Sequence, residues 1–503
     1  MNRSDRRRAN SISLVSSALA CLLVSGCAVD QKKEVAAYRT VIDGPKPAAF
    51  EYHAGQRLSL EGALLLANRN DEQLASSGED YLQALVDKER QFSTFLPTIS
   101  LQPTYTWLDH RSSNISASAK QGTTDAPVTG SYNVFNGFQD VANYRRSGYT
   151  AEQRKALLLD LQQTILLNLV QTYYSVLTNE RSVMVLTNSA QLQNERVRDM
   201  EGRQRAGLAR PLDVAQSEAQ AAATRVQLIQ AQNNVRTSRI ALAFLTSAAV
   251  QDAPLDDRML VPEKFPSQDE LTLAAQKTRQ DVQAASAAVE AARQNVQSAI
   301  GEYYPSVAFN IENFLHKESL STLTVWEGTV QVNVPIFTAG QIDANVRTAW
   351  SQLRQAWLND QRTRRLVSEQ VRTAYENIHG SKLRLHDLHI EVAAARDALN
   401  QARFSYSAGL ATNLDVLTAI DQVNSAELSL ASEELNYKVF YMQLLRAEGR
   451  LARPDSPLPP PGSPSSKPSI DEITPVAPMT MPANAPTTAP ATSPTTAPAN
   501  AGG

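Results

Sequence analysis

Hydrophobic and polar residues alternate along four stretches of the chain, residues 99–108, 128–135, 307–312 and 329–336. In the first stretch Ile99, Leu101, Tyr105 and Trp107 stand at odd positions, and serine, glutamine and threonine stand between them. Such alternation predicts strands with one apolar and one polar face. Strands of about ten residues with aromatic residues on the apolar face are typical of membrane β-barrels, although a half-buried soluble hairpin gives the same pattern.

The number of these strands limits their arrangement. Four strands cannot close a barrel, and an open edge inside lipid leaves backbone N–H and C=O groups without partners. The smallest ordinary bacterial barrels have about eight strands. The strands therefore lie outside a membrane, or several chains share one barrel: two chains would supply about eight strands and three about twelve.

One long helix is predicted after the strands in each half of the chain. No proline occurs between Phe138 and Ala206, and a second such stretch runs from about residue 341 to 406. Some 65 helical residues extend roughly 100 Å. Apolar residues recur at every seventh position in the helices that follow, which predicts coiled helix–helix packing; they are Ala221, Leu228, Val235, Leu242, Leu428, Leu435 and Met442.

The chain repeats itself. GLARPLDV at residues 207–214 returns as GLATNLDV at residues 409–416, FLPTIS at 95–100 as YYPSVA at 303–308, and VQTYY at 170–174 as VRTAY at 371–375. The order is the same in both halves, which indicates a duplicated unit. Each half reads helix, strand, loop, strand, long helix, turn, helix. The predicted fold class is mainly α with membrane β: duplicated long antiparallel coiled helices plus four strands.

The repeated phrase predicts a tight turn between two helices in each half, at the end opposite the strands. Gly207 and Gly409 suit the left-handed conformation that ends a helix. Asp213 and Asp415 then fall in the first turn of the next helix, where the helix dipole favours an acid. Pro211 suits the start of that helix in the first copy.

The N-terminus predicts export and lipidation. Four arginines among the first eight residues precede the apolar run SLVSSALACLLV, which indicates a secretory signal. Val24-Ser25-Gly26-Cys27 then looks like a lipobox, in which Cys27 becomes the acylated first residue of the mature chain. Ala28, rather than aspartate, points to the outer membrane. The alternative is an ordinary cleavage site beside an incidental cysteine.

The predicted partition of the chain has six parts. The last 52 residues hold 14 of the 25 prolines, so residues 452–503 are expected to form a disordered tail. The signal peptide is 1–26, the lipid-anchored linker 27–55, the first repeat 56–246, the inter-repeat linker 247–267 and the second repeat 268–451.

Composition gives little support to an enzyme or a nucleic-acid binder. The net charge is −3, which disfavours nucleic acid as a partner. Phosphate-loop, HExxH and CxxC motifs do not occur. His379, His386 and His389 could bind metal, but the charged sequence around them favours a solvated helix face. No cofactor or catalytic residue is predicted.

Residues 57–453 resemble the TolC-like outer membrane efflux protein family. The resemblance rests on the duplicated units, the opening RLSLEGALLLANRN and the G-L/T-x-x-x-x-D-V form of the two turns. It implies a homotrimer with a twelve-stranded barrel in the outer membrane and a periplasmic tunnel of twelve helices. The lipobox makes the chain similar to the lipidated branch, whose partners are a periplasmic adaptor (membrane fusion) protein and a resistance-nodulation-division pump of the inner membrane.

The resemblance also implies roles for individual residues. Gly207, Leu208, Gly409 and Leu410 would lie at the adaptor-docking turns. Asp213, Asp415 and Tyr406 would lie at the periplasmic gate, where three chains would form rings of carboxylates that favour cations.

The chain departs from the family pattern near the second turn. The archetype has arginine where this chain has Ala411, and a further aspartate where it has Thr418. The alternative for both acids is that they only stabilise helix starts.

Three functions fit the sequence. The first is a passive outer-membrane conduit of a tripartite efflux system for small molecules. The second is a conduit for type I protein secretion, which would use the same architecture. The third is a lipid-anchored coiled-coil spacer in the envelope without a pore, which leaves the alternating strands without a purpose.

Overall fold

The structure is a computed structural model, and it describes residues 29–44, 50–53, 55–107, 122–317 and 325–451. All of these residues lie in one compact unit, Met1–Pro461. The predicted signal peptide, Cys27 and the predicted tail lie outside the described residues.

The described helices are α1 (Gln31–Asp43), α2 (Leu60–Asn70), α3 (Glu72–Ser93), α4 (Gln139–Arg205), α5 (Pro211–Thr246), α6 (Gln268–Thr278), α7 (Gln280–Gly301), α8 (Gln341–Ser407) and α9 (Asn413–Ala447). The described strands are β1 (Leu58–Ser59), β2 (Thr98–Leu101), β3 (Thr104–Trp107), β4 (Gly122–Asn136), β5 (Leu255–Asp256), β6 (Ser306–Lys317) and β7 (Trp326–Asn333). The order of elements from α3 to α5 (helix, strands, long helix, helix) is repeated from α7 to α9. The predicted mainly α, duplicated fold class is confirmed.

The two long helices of the duplication have the same length. Helices α4 and α8 contain 67 residues each, which corresponds to roughly 100 Å. Each begins after a pair of left-handed residues, Gly137 and Phe138 before α4 and Ala339 and Gly340 before α8. These pairs turn the chain sharply from a strand into a helix, and the absence of internal proline then lets each helix continue without a kink.

The four predicted strands form one antiparallel sheet in the order β2, β4, β6, β7, with β3 also paired to β4. The first predicted strand is interrupted, so it appears as β2 and β3. Both parts keep one register on β4, from Thr98 opposite Ser131 to Trp107 opposite Gly122. The interruption falls at Gln102 and Pro103 because proline has no N–H to donate to the ladder.

The helices pack side by side in a row, and the neighbours of the long helices change along its length. In the half nearest the strands, α4 packs between α3 and α7, and α7 also packs on α8. In the other half the order is α5, α4, α9, α8. Helices α4 and α8 therefore run through both halves, and the contacts of α4 with α7 and α9 join the two repeats.

The largest hydrophobic core lies where the repeats meet. It includes Leu58, Leu169, Tyr173, Met442 and Leu444. The hydroxyl of Tyr173 lies 2.9 Å from the carbonyl oxygen of Leu58 and accepts a hydrogen bond from the backbone N–H of Asp256. Leu58 and Asp256 belong to β1 and β5, which pair in parallel. Burial raises the pKa of Tyr173, so the hydroxyl stays protonated and holds this short ladder against α4.

Two polar contacts lie beside this core, and the first of them joins the repeats. Arg446 of α9 donates to the carboxylate of Asp160 of α4 at 2.7 Å. Arg279, between α6 and α7, donates to Asp281 at 2.6 Å and to the side-chain oxygen of Gln370 at 2.7 Å. Burial lowers the pKa of Arg446 and raises that of Asp160. Removing one partner would leave the other charge poorly solvated. The pair of Arg446 and Asp160 therefore fixes α9 against α4, and Arg279 fixes the start of α7 against α8.

Two features differ from the sequence-based expectations. Helix α1 lies within residues 27–55, which were expected to form a linker. It starts at Asp30, whose carboxylate accepts from the N–H groups of Lys32 and Lys33, and it buries Tyr38 and Ile42. Two buried side chains in 13 residues give too weak a periodicity to predict a helix. Strand β4 also begins six residues earlier than residue 128, because pairing with β3 and β6 extends it.

We expect Gly301→Ala to lower the stability of the region where the repeats meet. A Cβ atom on Gly301 would lie 2.5 Å from the carbonyl oxygen of Gly137 and 2.6 Å from Cγ of Gln139. Overpacking of this kind costs roughly 1–3 kcal/mol, which a shift of the thermal or chemical unfolding midpoint would report.

Gly202→Ala is the matched control. A Cβ atom at Gly202 of α4 has open space within 4 Å, and alanine favours helix by roughly 1 kcal/mol. The control should be neutral or stabilising. Equal midpoints for the two variants would contradict the close approach of the backbones at Gly301.

Candidate functional site

The two repeated phrases form two turns with the same backbone. We define the first tip turn as residues 202–213 and the second tip turn as residues 404–415. Gly207 and Gly409 are left-handed, with φ of 71° and 76°. The N–H of Leu208 donates to Arg203 O at 2.8 Å, and the N–H of Leu410 donates to Ser405 O at 2.8 Å. Both are Schellman motifs, so the predicted glycine helix ends are confirmed in their conformation.

Asp213 and Asp415 occupy the third position of α5 and α9. The carboxylate of Asp213 accepts from the backbone N–H of Arg210 at 3.1 Å and from its guanidinium at 2.9 Å. The carboxylate of Asp415 accepts from the N–H of Thr412 at 2.7 Å and from its hydroxyl at 2.8 Å. The structure thus gives both acids a helix-start role. Their part in a constriction stays a prediction.

These hydrogen bonds determine how the acids respond to pH. The side-chain hydrogen bond from Arg210 lowers the pKa of Asp213, and the backbone hydrogen bond from Thr412 lowers that of Asp415. Both carboxylates therefore stay ionised to a lower pH than an ordinary aspartate. Their contribution to helix stability is present above the ordinary aspartate pKa and is lost only as the pH falls through the lower, folded-state pKa values.

Tyr406 packs against the other hairpin of the same chain. Its hydroxyl donates to the sulfur of Met200 at 3.3 Å. The guanidinium groups of Arg196 and Arg203 lie 4.0 and 5.0 Å from the centre of its ring. Cation–π attraction therefore links the end of α8 to the end of α4. Its predicted place at a gate is not tested by these contacts.

Arg196 and Asn413 connect the two tip turns. The Nε of Arg196 donates to Oδ1 of Asn413 at 2.9 Å, and Asn413 in turn donates to Asp213 O and to the hydroxyl of Ser217, both at 3.0 Å. Asn413 is 3% exposed. We call Arg196, Met200, Arg203, Tyr406 and Asn413 the tip cluster, because together they hold α4, α5, α8 and α9 at one place.

Sequence reasoning missed Arg196 and Asn413. Both look like ordinary polar helix residues, but one signal was available. The two repeated phrases differ at only two positions, Arg210 against Thr412 and Pro211 against Asn413. Arg210 hydrogen-bonds to Asp213, and Asn413 hydrogen-bonds to Arg196. The two positions at which the phrases differ therefore contact different partners.

Polar contacts between the hairpins continue beyond the tip cluster, beside a small apolar cluster of Leu399, Val416, Ala419 and Ile420 against which Leu192 of α4 packs. The amide of Gln220 donates to both carboxylate oxygens of Asp421, at 2.6 and 2.7 Å, and burial raises the pKa of that carboxyl. Gln193 of α4 is fully buried, and its side-chain amide makes no hydrogen bond to any residue that the structure describes. A buried amide without a partner costs roughly 1–3 kcal/mol. The hairpins are therefore held less firmly here than at the apolar core.

Other candidate chemistry is sparse in the described ranges. His379, His386 and His389 are exposed on α8. Over residues 29–451, outside the gaps in the description, no three metal-ligating side chains come together as a metal site requires. Among the helices described, none combines the length and the apolar character needed to cross a membrane.

We expect Arg196→Gln to loosen both tip turns. The variant loses the cation–π contact with Tyr406 and the hydrogen bond to Asn413, a loss of roughly 1–3 kcal/mol. Amide hydrogen exchange in residues 204–214 and 406–416 should accelerate by about 10- to 100-fold, at about 1.4 kcal/mol per tenfold.

Arg198→Gln controls for the removal of one arginine from the same helix, since Arg198 is exposed. It should leave exchange at both turns unchanged. Acceleration confined to the first tip turn in Arg196→Gln would contradict the connection between the two turns.

Comparison with known proteins places this fold in a family. A profile described as Outer membrane efflux protein matches residues 63–248 and again residues 271–450. The outer membrane protein TolC of Escherichia coli is 23% identical over 412 residues, which cover 77% of this chain and 82% of TolC. A shorter match, 27% identical over 127 residues, covers 25% of this chain and 27% of the proteases secretion protein PrtF of Dickeya chrysanthemi.

A solved structure has the same fold. The outer membrane protein VceC of Vibrio cholerae superposes with a TM-score of 0.68 at 19% sequence identity, over 78% of this chain and 96% of VceC. The similarity extends over both repeats, since the profile matches each of them. The chain belongs to the outer membrane efflux protein family, as its TolC-like motifs predicted.

Proposed function

We propose that this protein is the outer-membrane channel of a tripartite efflux system, a passive trimeric conduit that exports small molecules. The observation that carries the proposal is a sheet with one apolar face, one polar face and two open edges. A passive conduit takes its energy from its partner pump, so it needs neither a nucleotide site nor a catalytic residue.

The two faces of the sheet differ in polarity along every strand. Residues opposite each other in the register share a face. One face carries Ile99, Tyr105, Trp107, Phe309, Ile311, Trp326, Val330 and Val332, most of them exposed. The other carries rows such as Ser100, Thr129, Glu312 and Glu327. An apolar outer face toward lipid and a polar inner face toward water fit a transmembrane barrel.

The open edges support assembly from several copies. In the described part of the chain, β7 has β6 as its one neighbour in the sheet, and β2 and β3 have β4. Because strand directions alternate, β7 of one copy can pair antiparallel with β2 and β3 of the next. Four strands per chain need further copies to close a barrel, and three copies supply about twelve.

The edges of the helix row fit the same arrangement. Helix α5 exposes apolar side chains at helical spacing, namely Val226, Ile229, Ile240 and Phe244. Helix α8 at the other edge exposes Leu383, Ile390 and Phe404. Contact between unlike edges is heterologous, and it forms a ring when the rotation between successive copies closes. Three rows of four helices would form a tunnel of twelve, continuous with the barrel.

Lipidation of Cys27 would anchor each copy in the outer membrane. Helix α1 begins four residues after Cys27, a span of up to roughly 14 Å. It packs along α3 and α4: Tyr38 covers Gly78, and Gln162 donates to Ile42 O at 2.9 Å. Since α3 leads directly into β2, the acyl chains would lie on the same side of the molecule as the strands.

The tip turns would form the periplasmic end of the conduit. Asp213, Asp415 and Tyr406 are the proposed gate, and Gly207, Leu208, Gly409 and Leu410 the proposed docking turns for a periplasmic adaptor. Leu208 and Leu410 are 75% and 83% exposed, which fits side chains that wait for a partner. The proposed energy source is an inner-membrane pump of the resistance-nodulation-division type.

Protein secretion is a second candidate, favoured by the match to PrtF. The two candidates differ in their cargo and share the architecture. A strain that lacks this protein should become severalfold more sensitive to exported toxic small molecules, and wild-type protein should restore resistance. Unchanged sensitivity together with loss of a secreted polypeptide would favour secretion instead.

Single-channel recording tests for a pore. The purified mature protein in a planar bilayer should show discrete conductance steps with cation preference. In the double variant Asp213→Asn/Asp415→Asn, we expect the cation-to-anion permeability ratio to fall roughly threefold, because solvent screens charges in a solvated constriction. Because both pKa values are lowered, the wild-type preference should persist to a lower pH than ordinary aspartates would allow.

Asp387→Asn serves as the charge-matched control, since Asp387 is an exposed acid on α8 away from the tip turns. Steps that the double variant leaves unchanged would retain the channel and reduce both acids to helix-start residues. Absence of conductance steps, even after Arg196→Gln loosens the tip, would favour the envelope spacer without a pore.

A further inference from the structure

The edge of α8 in the half nearest the strands is exposed, and it carries arginine and tryptophan. We call it the α8 stripe: Arg347, Trp350, Arg354, Trp357, Leu358, Gln361 and Arg365. These residues recur at helical spacing and share one face. The indoles of Trp350 and Trp357 are 45% and 54% exposed. Helix α7 packs on the other side of α8, around Val296 and Ala349, so the described part of the chain leaves the stripe open to solvent.

Helix α3, at the opposite edge of the helix row in this half, exposes acids. Four of them lie on its free face, and we call them the α3 acids: Glu72, Glu79, Asp80 and Asp87. The buried residues of α3, such as Leu74 and Gly78, lie on the side that packs on α4 and α1. Among the described residues, the side chains of Asp80 and Arg354 have no ion-pair partner. Both are therefore available to a partner.

Charge distinguishes the two edges when every charged residue is counted. Residues 69–93, which cover α3 and the end of α2, contain six acids and three bases, a net charge of −3. Residues 341–365 of α8 contain five arginines and two aspartates, a net charge of +3. Helix α1, which packs beside α3, adds three bases and two acids, so the acidic edge keeps a net charge of −2. Edges of the same kind would therefore repel each other, whereas unlike edges would attract.

The position of α3 along the row follows from two contacts with α4. The ammonium of Lys88 lies 5.8 Å from the centre of the Tyr144 ring, and Leu74 shares a small hydrophobic cluster with Leu158. These contacts place α3 antiparallel to α4. They set Asp80 level with about residue 152 of α4, and they set the next acid of the same face, seven residues on, level with about residue 145.

The position of α8 follows from the helix between them. The side-chain amide of Asn295 of α7 donates to Gln352 of α8 at 2.9 Å, and its oxygen accepts from Arg146 of α4 at 2.8 Å. Residues 146 and 352 therefore share a level. Arg354 then comes within about one helical turn of Asp80 in height. Arg347 and Asp87, each seven residues away, match equally well.

We propose that the α8 stripe of one copy binds the α3 acids of a second copy of this chain, with Arg354 beside Asp80 and Arg347 beside Asp87. This pairing rests on the proposed function, in which several copies share one channel, and it identifies what joins unlike edges. A ring axis parallel to the helices preserves the level of both edges. Exposed charge then selects which chains share a ring, and the two indoles add apolar contact area.

The α8 stripe continues the edge that the proposed assembly uses near the tips. Leu383 and Ile390 follow Arg347 and Arg354 by 36 residues, about ten helical turns, so all four lie on one face of α8. That face is basic in the half nearest the strands and apolar nearer the tips. Continuity with the edge near the tips favours a second copy as the occupant of the stripe.

A lipid surface fits the α8 stripe less well. From Arg347 to Arg365 the stripe extends roughly 27 Å along the helix, and it begins roughly 9 Å after the start of α8. The headgroup region on one side of a bilayer is about 5–8 Å thick. In the proposed barrel, most of the stripe would therefore lie beyond the headgroups, where another protein surface can cover it.

Charge reversal tests the pairing. Arg354→Asp and Asp80→Arg should each speed the separation of assembled full-length protein into single chains by about threefold or more at low salt, as seen on gels after partial denaturation. The double variant Asp80→Arg/Arg354→Asp restores the attraction in the opposite sense, so it should return to within about twofold of the wild type. A folding defect in the single variants would not be repaired in this way.

Arg154→Asp is the matched control. Arg154 is exposed on α4 at nearly the same level, but α4 packs between α3 and α7 there, so it does not form an edge of the row. The rate of separation should stay at the wild-type value in this variant.

Co-expression tests the selection of chains. The double variant matches itself but opposes the wild type, because both of its edges are reversed. Two differently tagged wild-type forms should mix freely. Wild type and the double variant should form mixed assemblies about threefold or more less often, since every mixed ring of three contains two mismatched contacts. The difference should shrink at about 1 M salt.

Three results would overturn the proposal: single reversals that leave the rate of separation unchanged, a double variant that separates no more slowly than the single variants, or mixed assemblies at the wild-type frequency. If Arg354→Asp leaves assembly unchanged but weakens binding to vesicles of anionic phospholipid, a lipid surface occupies the stripe instead. Conductance distinguishes these failures from failure of the proposed function. Wild-type protein that conducts but ignores these charges loses the charge pairing alone, whereas wild-type protein that neither assembles nor conducts loses the channel.

Discussion

Backbone N–H and C=O groups at a sheet edge need hydrogen-bond partners, and this requirement governs the rest of the structure. One repeat supplies two strands, which cannot form a stable sheet. Pairing of β4 with β6 joins the repeats along eleven residue pairs and moves the open edges to β2, β3 and β7. Those edges lie far apart in sequence and on opposite sides of the sheet. In the proposed assembly, further copies of the chain pair with these open edges. Duplication therefore lowers the number of unpaired backbone groups, and oligomerisation provides partners for the rest.

The arrangement of the helices follows from the same pairing of β4 with β6. Since β4 leads into α4 and β7 leads into α8, joining the strands places two helices of equal length in one row, with α7 between them in one half and α9 between them in the other. The contact of α9 with α4 and α5 is apolar around Tyr173 and Met442. Toward the tip it combines the polar side chains Gln193, Asp421 and Asn413 with a smaller apolar cluster. The apolar section resists rearrangement because its stabilisation comes from burial, whereas the polar section gains less from each contact. The tip is therefore the part of the helix row that can rearrange with the least loss of free energy.

Divergence between the repeats appears in side chains rather than in backbone. Gly207 and Gly409 keep the same left-handed conformation, and Asp213 and Asp415 keep the same helix-start position. Around them, Pro211 became Asn413, or the reverse, and that position now connects two hairpins through Arg196. A turn that must keep its shape can still change its side-chain contacts, because the Schellman motif depends on backbone groups and one glycine.

The sequence by itself determined the elements that depend on local periodicity. Alternation gave the strands, freedom from proline gave α4 and α8, and glycine followed by a helix-start acid gave both tip turns. It missed α1, whose two buried side chains give no periodic signal, and the break at Pro103, which depends on the pairing partner. Only the tertiary structure decided that Arg196 meets Tyr406 and Asn413, residues 210 and 217 positions away. Local patterns report the backbone and the buried face of one element, whereas a contact between elements depends on how far each helix has rotated and shifted, and no single helix encodes that.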